Sequence, residues 1–170
     1  QEAERLPLFA CRVVRLLWLF KMLDYSKEDP IIFPYKECYI EVNRQKELVW
    51  RPLALVSLKH ENFYMNALID SGSDKTISYI EPFGRVLGIN VEDFEGEPQE
   101  LRGLTGSGAA WPKHMDMWIG KYRFNIPIFW LTKPYNIKQD YQVILGRKII
   151  FDNFDVVFRQ KEKKVYFYKV

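Results

Sequence analysis

The apolar run Ala67-Leu68-Ile69 ends abruptly in Asp70-Ser71-Gly72-Ser73. Residues that favour a strand thus deliver a carboxylate straight into a tight turn, where a core meets an opening. An acid placed there is costly unless it is used. Its natural chemistry is general acid and base catalysis, in which one of two neighbouring carboxyl groups activates a water and the other protonates a carbonyl oxygen. Taken alone, Asp-Ser-Gly also describes an Asx turn closing a hairpin, with the Asp bonded to its own backbone.

The surroundings narrow the choice. Asp74 and Thr76 follow at once, a glycine-rich stretch Gly103-Leu104-Thr105-Gly106-Ser107-Gly108 comes later, and Val143-Ile144-Leu145-Gly146-Arg147 comes later still. The glycines do not make a phosphate cradle, because no Gly-Lys-Ser/Thr opening a helix occurs in the chain. Their flanks, Gln99 to Arg102 and Ala109 to Trp111, read as the arms of a closing hairpin, with a plain surface loop as the alternative. His60 and His114 are isolated, and no Ser or Cys sits in a nucleophile motif such as Gly-x-Ser-x-Gly, so nucleophilic Ser/His or Cys/His catalysis is not indicated. Cys11 and Cys38 lie far apart without Cys-x-x-Cys spacing. Neither a zinc site nor a disulfide framework is expected, and no metal or other cofactor is called for.

With its strand, its Asp-Ser-Gly-Ser turn, its glycine-rich stretch and its Ile-Leu-Gly-Arg run in that order, the chain resembles the retropepsin-like family. These are the single-lobed aspartic proteases of retroviruses, retrotransposons and their cellular and bacterial relatives. The resemblance covers about Tyr35 to Val170. It implies a mainly β fold, the closed β-barrel or sandwich of the acid proteases with one or two short helices, and hydrolysis of peptide bonds. It implies further that Asp70 is the catalytic acid, that Ser71 braces the active-site loops, that Gly72 lets substrate approach closely and that Ser73 lines the turn. Asp74 is implied to bind substrate backbone and to form an ion pair with Arg147, whose guanidinium suits a fixed carboxylate partner. The stretch Gly103 to Gly108 becomes a flap over an extended polypeptide substrate, and Ile144, Leu145 and Gly146 become structural residues near the site.

A single Asp-Ser-Gly in 170 residues leaves one carboxylate where the chemistry needs two, and the chain is too short for a second lobe. The second acid is therefore expected from Asp70 of another copy, in a homodimer with two-fold symmetry. Val156, Phe158, Val165, Phe167 and Val170 offer apolar surface at strand spacing, either for that interface or for the core of one subunit.

The elements that must position these residues are mostly strands. Runs rich in β-branched and aromatic residues cover Cys38 to Val42, Leu53 to Leu58, Phe63 to Ile69, His114 to Ile119, Arg123 to Leu131, Gln142 to Leu145, Phe154 to Arg159 and Lys164 to Val170. Short helices are expected at Ser78 to Leu87, capped by Ser78 and ended by Gly88, and at Lys148 to Phe154. Lys27 to Pro34, with two prolines, reads as a linker into a domain spanning residues 30–170.

Residues 1–29 form an N-terminal extension whose segment Leu6 to Leu23 reads as an amphipathic helix. Arg12, Arg15 and Lys21 argue against a transmembrane span. Packing on the domain, packing on a partner chain and contact with a membrane surface all stay open. With 25 basic and 22 acidic residues scattered along the chain, the net charge of +3 forms no stripe, and nucleic acid is not an expected partner. Few cysteines and no clear export signal favour a cytoplasmic location, with membrane association through residues 6–23 left open. The alternative function is a retropepsin-fold module that dimerises or binds peptides without hydrolysis.

Overall fold

The computed structural model describes residues 28–59, 63–103, 106–132 and 140–170. The expected helix at Leu6 to Leu23, together with His60, Leu104 and Thr105, lies outside them.

Alternation of burial builds the central strands. In β5 (Tyr64–Ile69), Met65, Ala67 and Ile69 are buried while Tyr64, Asn66 and Leu68 turn to the other face, the period of two that a pleated strand imposes. β5 forms an antiparallel hairpin with β4 (Leu53–Leu58) and runs parallel to β10 (Val143–Leu145). After the Asp70 turn the chain returns as β6 (Thr76–Tyr79), antiparallel to β10 and parallel to β9 (Tyr122–Leu131). β8 (Gly106–Ile119) meets β9 through the two-residue turn Gly120-Lys121, where Gly120 takes φ +56°. β7 (Gln99–Gly103) adds to the far side of β8. These strands form a sheet in the order β4-β5-β10-β6-β9-β8-β7, and a further pairing of β4 with β8 closes it into a barrel.

Val56, Leu58, Ala67, Met117, Ile119, Ile126, Ile128, Trp130, Val143 and Leu145 fill the interior. A second sheet, β1 (Ile31–Pro34), β12 (Lys164–Lys169) and β11 (Phe154–Arg159), is joined to this core by aromatic edges. The Phe154 ring meets Tyr122, Phe124 and Phe167 at 5.5 Å each, and Phe33 meets Phe167 at 5.4 Å. β2 (Lys36–Val42) and β3 (Gln45–Arg51) form a separate ribbon whose turn residues, Asn43 and Arg44, both have positive φ, the twist that a two-residue hairpin requires.

The structure differs from the expected elements in four places. Ile31–Pro34 is the strand β1, not a linker; Phe33 is buried, and Pro34 is tolerated because β1 is an edge strand. β3 was not among the expected strands, since only Val49 and Arg51 of its seven residues are half-buried and no alternation stands out. Ser78 caps no helix: it lies buried in β6 and donates its hydroxyl to the Gln142 carbonyl at 3.1 Å. The helical turn begins later, at Ile80–Gly84, with Glu81 extended, and ends at Gly88, whose φ of +72° lets the Ile89 N–H reach the Gly84 carbonyl at 2.8 Å. The second helix, α1 (Ile150–Asn153), falls within Lys148 to Phe154. Of the apolar residues in the last strands, Val165 and Phe167 are buried in the core, Val156 is half-buried, and Phe158 and Val170 are exposed.

Candidate active site

β5 and β10 lie side by side with Leu68 opposite Ile144 and Ile69 opposite Leu145. Asp70 leaves β5 with its N–H still donated to the Leu145 carbonyl at 3.1 Å, so β10 fixes where the acid emerges. The Gly72 N–H then donates to Asp70 Oδ1 at 2.9 Å and the Ser73 N–H to the Asp70 carbonyl at 3.2 Å. The Asx turn and the placed carboxylate are thus one device: the turn holds the half-buried acid in a fixed orientation.

The Gly146–Lys148 segment clamps this turn from the other side. The Arg147 N–H donates to the Ser73 carbonyl at 2.8 Å, the Lys148 N–H to the Asp74 carbonyl at 3.2 Å, and the Gly146 N–H to Thr76 Oγ1 at 3.3 Å. Contact is so close that a Cβ at Gly146 would stand 2.4 Å from the Lys75 carbonyl carbon and oxygen, and glycine is required. Asp74 and Arg147 form an ion pair in which Nε, at 3.1 Å, and Nη2 both donate to Asp74 Oδ1. Both donors converge on one oxygen instead of matching two, and the pair is exposed to solvent. Ser73 turns its hydroxyl to the Lys75 carbonyl at 2.8 Å, and Ser71 is exposed.

The glycine-rich stretch sits at the end of a paired hairpin. β7 and β8 match Gln99 with Ala110 through Gly103 with Gly106, so the flanking arms are formed. Ser107 is exposed, and Gly108 packs against Leu131 so closely that a Cβ would lie 3.2 Å from its Cδ2. One link between this hairpin and the acid's turn escaped sequence reasoning: Lys75 lies over the Phe129 ring at 4.3 Å and donates to Gln99 Oε1 at 3.0 Å, at the base of β7. Sequence reasoning also misses a polar clasp between β5 and the residue that precedes β10, where the Asn66 N–H donates to Gln142 Oε1 at 2.8 Å and the Gln142 N–H to the Asn66 carbonyl at 2.9 Å. Polar residues at half-buried places in apolar strands were the available signal for Asn66 and Gln142; nothing in the sequence singled out Lys75.

A cavity of about 610 Å³ opens beside the Asp74–Arg147 pair, between Lys75, Phe129 and Phe151, and Asp70 is not part of its lining. Among the described residues no group of His, Cys, Asp and Glu is placed to hold a metal ion. The arrangement therefore offers one oriented carboxylate on a rigid turn, with a β-hairpin tied to the following residues. A carboxylate held in this way can act as a general acid or a general base.

No protein-family model matches the sequence, and no curated protein matches it. Among solved structures, the chain is similar to the EIAV protease complexed with the inhibitor HBY-793, at 18% identity over 66% of this chain and 93% of that one, with a TM-score of 0.44. It is also similar to a retropepsin-like aspartic protease from Rickettsia conorii, at 13% identity over 82% of this chain and 94% of that one, with a TM-score of 0.48.

Proposed function

We propose that the chain is an aspartic endopeptidase of the retropepsin type, active as a homodimer in which each copy contributes Asp70. The observation that carries this reading is the clamp around the acid. Residues far apart in sequence, Asp70 to Thr76 and Leu145 to Lys148, converge through backbone hydrogen bonds on one turn that presents a carboxylate. An ordinary hairpin turn has no need of a second loop that tolerates only glycine at Gly146.

In this reading the two Asp70 carboxyl groups share one proton, because like charges brought close cannot both ionise. The ionised group takes a proton from water as it attacks the scissile carbonyl, and the protonated group donates to the carbonyl oxygen. The tetrahedral intermediate then collapses as the amide nitrogen accepts a proton and leaves. Asp74, held by Arg147, and the β7–β8 hairpin bind the substrate backbone in extended form, the hairpin acting as the flap.

The test is cleavage of a denatured protein from acid to neutral pH by the native chain, by Asp70→Asn, and by the native chain with pepstatin. Asp70→Asn keeps the size of the side chain and removes the carboxylate, so activity is expected to disappear with no loss of fold. A folded, dimeric native chain without activity would overturn the proposal in favour of a binding module.

A further inference from the structure

Leu53, Leu68 and Ile144 form a row across three neighbouring strands, since Leu68 is the Cα partner of Leu53 on β4 and of Ile144 on β10. Ala67, Ile69, Val143 and Leu145 point into the barrel. By strand alternation the row looks out from the opposite face, and Asp70, two residues beyond Leu68, continues that face. In the protease reading, an extended substrate crossing Asp70 would set a side chain against this apolar wall. The wall is covered instead: Cys38 and Val49, paired in the base half of the β2–β3 ribbon, pack with Tyr141 against Leu53, Leu68 and Ile144. Cys38 is left 1% exposed and Leu53 2%.

The ribbon is anchored near its base. Lys36 donates to Asn66 Oδ1, and the Arg51 guanidinium lies over the Tyr141 ring at 5.6 Å. Its outward face leaves Tyr39, Leu48 and Trp50 exposed, so its apolar contact with the barrel is through the Cys38–Val49 side. A two-stranded ribbon is barely stable by itself and depends on such a contact, which a competing apolar side chain can replace.

We propose that the β2–β3 ribbon is a built-in cover of the substrate cleft, in which Cys38 and Val49 occupy the Leu68–Ile144 wall beside Asp70 until a bulky apolar substrate side chain displaces them. The proposal rests on the protease reading. Burial of the Cys38 thiol pushes its pKa up to about 11, so the covered thiol is poor in thiolate and slow to alkylate, and it reports on lifting of the ribbon.

Lys36 and Arg51 face each other across the base of the ribbon, so residues 37–50 can be replaced by a short Gly-Ser turn without displacing β1 or β4. The experiment compares the full chain, this trimmed chain and Val49→Lys, each with and without Asp70→Asn, on peptides carrying Ala, Leu or Phe at the cleaved bond. Val49→Lys serves where the trimmed chain does not fold, and mass mapping of Cys38 alkylation shows that its ribbon has lifted. Opening the ribbon is expected to raise kcat/KM for the Leu and Phe peptides about tenfold and for the Ala peptide by less. Equal, Asp70-dependent cleavage by full and opened chains overturns the cover and leaves the protease reading standing. Absence of Asp70-dependent cleavage from every chain overturns the protease reading and the cover with it.

Discussion

Gly146 lies against the Lys75 backbone with no room for a methyl group, and this makes it the most constrained position of the site. Gly146→Ala is expected to destabilise the fold by about 3 kcal/mol, the upper end of overpacking effects, read as a lowered urea midpoint. Arg147 behaves differently, because its pair with Asp74 is exposed and both donors share one oxygen. Arg147→Lys should change stability by less than about 1 kcal/mol in the same assay, since exposed ion pairs contribute little. At this scale much was legible: a strand running into Asp70, and Gly146 followed by Arg147, are local patterns. The contacts of Lys75 with Gln99 and of Asn66 with Gln142 were not, because nothing periodic in the sequence ties partners that meet only after the barrel closes.

The parallel pairing of β5 with β10 carries Asp70 to its place, and β6 completes the clamp through Thr76, which is 3% exposed and accepts the Gly146 N–H. Thr76→Val keeps the shape and strands that donor in the interior. A loss of about 1–3 kcal/mol is expected in equilibrium unfolding, with faster hydrogen exchange at the Gly146 amide. Most strands could be read from β-branched and aromatic runs, but β1, β3 and β6 could not. Ser78 and the following apolar residues read as a capped helix, and the barrel overrides that preference by pairing Ser78 with Val143 and Trp130. The prolines around Ile31 and Ile32 read as a linker, although an edge strand accommodates them. In β2–β3 the turn Asn43-Arg44 lacks the glycine that would have announced a hairpin.

For the molecule as a whole, three carboxylates among the described residues tie stability to pH, Glu28 and Glu162 exposed and Asp116 half-buried. Glu28 is held below the usual carboxylate range by the Tyr122 hydroxyl and then Lys121, Asp116 by Arg123 and then Asn125, and Glu162 by the Tyr166 hydroxyl and then Arg159. A lowered native pKa means that the unfolded chain takes up protons first. Their stabilisation is therefore full above the unfolded values near about 4 and is lost as pH falls through the lower native ones. The melting temperature should fall on acidification in that window, and less steeply in Asp116→Asn; parallel curves would remove Asp116 from the account. The barrel itself is complete within one chain, but one chain supplies one Asp70 turn, and the proposed chemistry belongs to a pair. The most direct measurement mixes native chain with an equal amount of Asp70→Asn, unfolds and refolds them together, and compares activity with native chain alone at the same total concentration. A shared site predicts about one quarter of the native activity, because random pairing makes native homodimers that fraction of all dimers. About one half would show that each chain works by itself and would contradict the account.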